Sequence, residues 1–288
     1  MKITVLLFCL FATGLACQSK LKETNIPPKE LIKTAEDSLL VTKILSRFSA
    51  DQDKPVGELV SEIGKTFLGT PYVAHTLENG RDEDLVINLR ELDCTTFVET
   101  CLALARTVKA GKADFDSFAG ELEKIRYRDG KREGYCSRLH YFSDWIYDNR
   151  MKGLVSEPAV KIGSPVDLIV NFMSTHPASY EVLKENPEFI PVIAAQETGI
   201  SARKYFFLRK EEVPGRETDL QEGDLVGLAT TIAGLDISHT GILTEVNGRI
   251  HLLHASSTLE KVVISEEPLY DLLMNKKSYT GIMIARPK

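Results

Sequence analysis

Glu91-Leu92-Asp93-Cys94-Thr95-Thr96-Phe97-Val98-Glu99 reads as the start of a helix. Asp93 is a good N-cap, and Phe97, Val98, Cys101, Leu102 and Ala105 recur behind it at helical spacing. Cys94 then sits in the first turn. There the positive end of the helix dipole and the unpaired backbone N–H groups are expected to lower a thiol's pKa and to offer an oxyanion site. A lone cysteine is more often a buried structural thiol, so a nucleophile at this position needs partners from elsewhere in the chain.

Working outward, the Cys94 helix is expected to run to about Lys109 and stop at Gly111. Further helices are expected from Asp114 to Tyr127 and from Ser137 to Asn149, the latter carrying Trp145. Upstream, residues 36 to 49 form a candidate helix. From Pro55, the residues Val56, Leu59, Val60, Ile63 and Phe67 make an apolar stripe that ends at the breaker cluster Gly69-Thr70-Pro71-Tyr72. The charged stretch 76 to 90 is expected on the surface. Residues 151 to 215 hold six prolines and no catalytic motif, and are expected to be an inserted subdomain or a lid over a cleft. From Gly223 the pattern turns to strands at 224–229, 240–246, 249–255, 261–265 and 279–285. Helices first and antiparallel strands later indicate an α+β fold.

Asn247-Gly248 lies between alternating apolar runs, which signals a two-residue hairpin turn. Counting outward pairs Val246 with Arg249, Thr244 with His251, Ile242 with Leu253 and Gly241 with His254. His239 is then diagonal to His254 on one sheet face, with Cβ atoms within about 7–8 Å. Gly241 clears the space opposite His254, and His251 points to the other face. A thiolate nucleophile needs a base, and the base needs a third group to fix its tautomer. Cys94, His239 and His254 are the candidates for these three roles, with the histidine face expected to meet the helix start. A metal site built from the same three residues is the rival, but no metal-ligand spacing supports it. His75, His140, His176 and His251 read as ordinary polar residues. His140 is a partial exception, because Ser137-Arg138-Leu139-His140-Tyr141 is expected to pack several donors into one helical turn beside a cleft.

The chain has 288 residues, 43% of them hydrophobic, enough for one or two packed domains, and its net charge of −6 gives no footprint for nucleic acid. Lys2, the apolar run Ile3 to Ala12 and the small residues before Cys17 have the layout of a signal peptide, residues 1–16. A cysteine at that point resembles a lipoprotein signal, although Gly14 stands where that pattern usually has Leu. Lipidation of Cys17 is the expectation and plain export the alternative, with residues 17–35 as a linker and 36–288 as the folded body. That body is expected to be exported to the cell envelope or periplasm and to meet the membrane only through the lipid. Of five cysteines, three lie in the body, too few for a disulfide scaffold. Cys101 reads as core; a pairing with Cys136 is open but not required.

Five segments, residues 92–98, 238–242, 253–256, 223–226 and 68–72, together resemble the NlpC-type, papain-like cell-wall hydrolases. Leu92-Asp93-Cys94-Thr95-Thr96-Phe97-Val98 resembles their nucleophile motif, and Ser238-His239-Thr240-Gly241-Ile242 their base motif. Leu253-His254-Ala255-Ser256 resembles the segment with the third polar residue. Gly223-Asp224-Leu225-Val226 and Leu68-Gly69-Thr70-Pro71-Tyr72 resemble the lead-ins to base and nucleophile. The resemblance implies a papain-like fold, helices on an antiparallel sheet, and amide hydrolysis through a thioester with Cys94, His239 and His254 catalytic. Tyr72 is then expected near the sulfur or the oxyanion, Asp93 as a cap beside the substrate, and Arg138, His140 and Tyr141 as substrate contacts. No cofactor or metal is implied. Thr95-Thr96 replaces the usual Ser-Gly, and with the long spacing to His239 this looks like the branch described as N-acetylmuramoyl-L-alanine amidases. The alternatives are a γ-D-glutamyl–diamino acid endopeptidase with the same triad, or a non-catalytic envelope lipoprotein that binds peptidoglycan.

Overall fold

The computed structural model describes residues 31–78 and 83–288. The expected signal peptide, Cys17 and most of the linker lie outside the described residues. A short strand β1 (Leu31–Ile32) leads into α1 (Ala35–Arg47) and α2 (Val56–Lys65), then β2 (Leu85–Val86), α3 (Cys94–Lys109), α4 (Phe115–Arg126) and α5 (Phe142–Met151). α1 is held by a reciprocal cap between Thr34 and Asp37, α3 by one between Asp93 and Thr96.

Two expectations in this half are corrected. Residues 85–89 are not surface loop: β2 pairs in parallel with β1, and Leu85, Ile87 and Leu89 are buried. The alternation of Leu, Ile and Leu outweighs the charges upstream of it. The segment from Ser137 is not a helical turn either. Tyr135–Ser137 is a 3-10 turn, Arg138 is extended and bridges Tyr127, and α5 begins only at Phe142.

The middle region contains β3 (Val155–Ser156), α6 (Ala159–Ile162), β4 (Ser164–Val166), α7 (Phe172–Thr175), α8 (Glu181–Glu185), α9 (Ile190–Ser201) and β5 (Tyr205–Arg209). The last third supplies β6 (Leu225–Thr230), β7 (Ile237–Val246), β8 (Arg249–Ser256), β9 (Lys261–Ile264), α10 (Leu269–Asn275) and β10 (Tyr279–Pro287). The main sheet runs β4-β5-β10-β6-β7-β8-β9, with β3 also on β10, and its pairings are antiparallel. Residues 151–215 thus give the sheet strands of its own, and Met173, Leu183 and Ile193 join the core.

Strand alternation divides the core in two. Ile242, Leu253, Met283 and Ala285 face the layer of α1 to α5. Leu228, Leu243, Leu252, Ile282 and Ile284 face α10 on the other side, against Leu269 and Leu273. The hairpin forms as expected. Asn247 and Gly248 have φ of 52° and 78°, as a type I′ turn requires, and the register runs from Val246–Arg249 to Ile242–Leu253.

Candidate active site

The turn fixes where the two histidines fall. His239 pairs with Leu228 across β6 and β7. Gly241 leaves room for His254: a Cβ there would come within 3.0 Å of the His254 Cβ. The His239 Nε2 and His254 Nδ1 atoms are 2.6 Å apart, with rings nearly perpendicular at 86° and centroids 4.8 Å apart. Both rings stand on the α10 face of the sheet, with Leu228 and Leu252, and not on the face covered by α3. This corrects the expectation that the histidine face meets the helix start.

The thiol lies near the end of the paired strands. The β7–β8 register stops at Ile242–Leu253. Beyond it, the Thr240 backbone N–H bonds to the Cys94 sulfur. Cys94, His239 and Thr240 therefore border one cavity, of about 430 Å³.

Burial governs the protonation of this group. The Cys94 thiol is pushed up to about 11 by desolvation and by the Asp93 carboxylate, against the opposing pull of the Thr240 N–H, the Thr95 hydroxyl and its own N–H. The expected lowering by the helix start is thus overridden. His239 is pushed down to about 3 by burial, then by the charges of His254 and Lys276; His254 is pushed down to about 4 by burial and Lys276. At neutral pH the free protein holds a protonated thiol and two neutral imidazoles.

Tyr72 bridges Leu92 just before the cysteine, and Val73 N–H donates to the Leu92 carbonyl at 3.2 Å. Burial, with Cys94 and Asp93 nearby, pushes its phenol up to about 12. Asp93 is the helix cap: its Oδ1 accepts from the Thr96 N–H at 2.7 Å and from the Thr96 hydroxyl at 2.9 Å, while the Thr96 Oγ1 accepts the Asp93 N–H at 2.9 Å.

His140 and Tyr141 line the cavity and Arg138 does not. The Arg138 guanidinium donates to the Leu77 carbonyl at 3.1 Å and pairs with Glu78 and Glu83. His140 Nε2 lies 2.9 Å from the Tyr135 carbonyl oxygen, and burial with the Arg138 charge holds the ring well below its usual range. The Tyr141 hydroxyl donates to Glu197 at 2.7 Å and accepts the Met173 N–H at 3.1 Å.

Sequence reasoning missed two carboxylates on the cavity wall, Glu99 and Asp236. Glu99 accepts from Arg126 Nε at 2.7 Å and Trp145 Nε1 at 3.3 Å. Asp236 accepts from the backbone N–H of Ser143 at 2.7 Å and of Ile237 at 2.8 Å, and burial raises its carboxyl. Glu99 stood inside the opening stretch, but its partners come from α4 and α5 and carry no local signal. Cys94, Cys101 and Cys136 are all free thiols. Among the described residues, no three His, Cys, Asp or Glu side chains converge as metal ligands, and no helix is long and apolar enough to cross a membrane.

This arrangement matches known structures over most of the chain. An N-acetylmuramoyl-L-alanine amidase from Bacteroides uniformis is 38% identical, with 81% of this chain and 99% of that one covered and a TM-score of 0.77. A Bacteroides fragilis protein described as a "putative xylanase" is 42% identical, over 77% of this chain and 98% of that one, with a TM-score of 0.74. The Legionella pneumophila protein LPG0564, at 20% identity over 88% of this chain and 94% of that one and a TM-score of 0.66, shares the fold. No curated protein matches the sequence. The model of the AmiA-like, N-acetylmuramoyl-L-alanine amidase-like family matches residues 62–282, a span that holds Cys94, both histidines and the sheet that carries them, and the chain belongs to that family.

Proposed function

We propose that the protein is a cysteine amidase that hydrolyses the N-acetylmuramoyl–L-alanine bond of peptidoglycan or muropeptides, on a papain-like scaffold. The observation that carries this reading is the contact of His239 Nε2 with His254 Nδ1 beside a helix-start cysteine whose sulfur takes the Thr240 N–H. Because Nε2 is engaged by His254, the ring atom left for the thiol is Nδ1. It is a base only in the tautomer in which His239 Nε2–H donates to His254 Nδ1.

Cys94 Sγ attacks the carbonyl carbon as His239 Nδ1 takes the thiol proton. The raised thiol and lowered imidazole favour transfer coupled to attack over a standing ion pair. The oxyanion is met by the Cys94 backbone N–H at the start of α3 and by the Tyr72 hydroxyl. His239 then gives its proton to the leaving nitrogen, and the C–N bond breaks to leave a thioester. Water, deprotonated by His239, attacks the thioester; the products are the sugar carboxylic acid and the free peptide amine, and the thiol is restored.

A glycosidase, as the name of the Bacteroides fragilis relative suggests, needs two working carboxyl groups flanking the bond. Here Glu99 is taken by Arg126 and Trp145, and Asp236 by two backbone N–H groups. That favours amide over glycoside cleavage. We further propose that the protein acts in the envelope after export, anchored through a lipidated Cys17. Replacement Cys94→Ala, assayed on a defined muropeptide with mass spectrometry of the products, tests the activity. The expected result is loss of at least three orders of magnitude, with the wild type releasing the whole peptide from the sugar; undiminished activity would refute the reading.

A further inference from the structure

The His239–His254 pair stands between two hollows of different character. The cavity bordered by Cys94 is walled mainly by aromatic and aliphatic side chains such as Tyr141, Phe142, Trp145 and Met173. A second groove, of about 540 Å³, is lined by both histidines and not by Cys94. Its walls mix apolar side chains, among them Leu252, Leu259 and Leu272, with a polar set. Ser256, Ser257 and Thr258 come from the end of β8 and the turn after it, and Lys276 caps the end of α10, with Glu266 and Glu267 also in the lining. Lys276 is exposed. Its Nζ lies 3.5 Å from the Tyr279 hydroxyl and 5.3 Å from that ring's centre, and among the described residues no carboxylate lies within 4.0 Å to pair with it.

The chemistry of amide cleavage assigns the two hollows. The acyl half stays bonded to Cys94, so it occupies the hollow that contains the sulfur. The leaving nitrogen takes its proton from His239, so the peptide it carries departs along the side that the imidazoles line. We propose that this second groove receives the leaving peptide, and that Lys276 pairs with a free carboxylate on it, which makes Lys276 a specificity determinant for acidic peptides. The inference rests on the amide-hydrolase reading of Cys94 and His239. Glu266 and Glu267 give the groove mixed charge, which suits a peptide bearing both carboxylates and an amino group. The Ser256–Thr258 hydroxyls supply donors for its backbone. Lys276 touches no reacting atom; its charge also lowers His239 and His254, an effect common to both peptides that cancels in a ratio between them. A single exposed ammonium–carboxylate pair is worth up to about 1 kcal/mol, which corresponds to roughly a fivefold preference.

The test uses two muramyl-peptides that differ only in whether the second residue's free carboxylate is amidated. The wild type is expected to favour the acid form in kcat/KM by roughly fivefold, through KM. In Lys276→Gln that preference is expected to fall to near one. An unchanged preference in the variant overturns the inference. A second measurement separates it from the reading it rests on: calorimetric binding of the free acid and amidated peptides to Cys94→Ala and to Cys94→Ala/Lys276→Gln. A preference for the acid peptide that disappears with Lys276 supports the groove even where no muropeptide is cleaved. Equal binding of both peptides to Cys94→Ala overturns it while leaving the hydrolase reading intact.

Discussion

Replacing Gly241 with Ala perturbs the imidazole pair without touching either ring. The added Cβ would lie 2.8 Å from Leu252 Cδ1, 2.9 Å from the Leu253 carbonyl oxygen and 3.0 Å from His254 Cβ. The leucine tip can rotate away, but the carbonyl and the His254 Cβ belong to β8 itself, so the strand must yield by several tenths of an ångström. The imidazoles meet at 2.6 Å and have no slack to absorb that shift. Overpacking of this kind costs about 1–3 kcal/mol, and displacement of a catalytic group by 1 Å costs up to roughly 10²-fold in rate. The matched control is Gly64→Ala. Its Cβ would meet Leu253 Cδ2 at 2.9 Å, Ile242 Cδ1 at 3.2 Å and Phe97 Cζ at 3.4 Å, on the opposite face and only against side chains. There the gain in helix propensity, about 1 kcal/mol, offsets part of the crowding. Urea unfolding and muropeptide release are measured on both variants. Gly241→Ala is expected to lose at least tenfold in kcat/KM, and Gly64→Ala less than twofold. If Gly241→Ala stays within twofold of its control, the glycine is not what seats His254, and the account of the pair is wrong.

Protonation gives two further tests. His239 and His254 titrate at about 3 and about 4 in the folded protein, below the unfolded value near 6.5. Stability is therefore complete above pH 6.5 and falls as acid protonates the unfolded chain first, by about 1.4 kcal/mol per pH unit for each buried histidine. The same shifts place the acid limb of kcat/KM near or below pH 4. Urea midpoints that stay flat from pH 7 to 5, or a limb near 6.5, would contradict this. Asp93→Asn keeps an N-cap of similar strength but removes the carboxylate that raises Cys94. Iodoacetamide should alkylate the variant faster than wild type at pH 8, with stability within about 0.5 kcal/mol; an unchanged rate would show that Asp93 does not act on the thiol.

What was legible in the sequence was what local patterns encode. The Asn247-Gly248 turn carried the whole β7–β8 register and so chose His254 over His251, whose Nδ1 lies 2.8 Å from the Ser265 carbonyl oxygen on the other side. The Asp93 cap set the start of α3 to the residue. What was illegible depends on packing between distant segments. Arg138 looked like a cleft residue because it neighbours His140, yet its partners Glu78 and Glu83 come from a loop that no periodicity places. The thiol's pKa followed the same rule: a helix start is visible in sequence, but the buried surroundings that override it are assembled from several segments of the chain.

The choice of bond turns on the residues after the cysteine. An endopeptidase of the resembling group holds the free amino end of a stem peptide with the Asp–Ser neighbourhood of its motif. In this chain the Asp93 Oδ1 is occupied by the N–H and the hydroxyl of Thr96, so the second threonine uses the carboxylate to close a cap. The carboxylates that do line the cavity, Glu99 and Asp236, are also engaged, by Arg126 and Trp145 and by backbone N–H groups. An ammonium group entering the Cys94 cavity would lose its hydration, and of the wall carboxylates Glu99 already has Arg126 as its counter-ion while Asp236 is held by backbone N–H groups. A lactyl amide on a sugar brings no charge to that cavity, and its apolar walls suit the lactyl methyl and the faces of a sugar ring. In the proposed reading the substrate's carboxylates lie on the other side of the scissile bond, toward Lys276. The bonds of Thr96 to Asp93 support the proposed preference for the muramoyl–alanine bond.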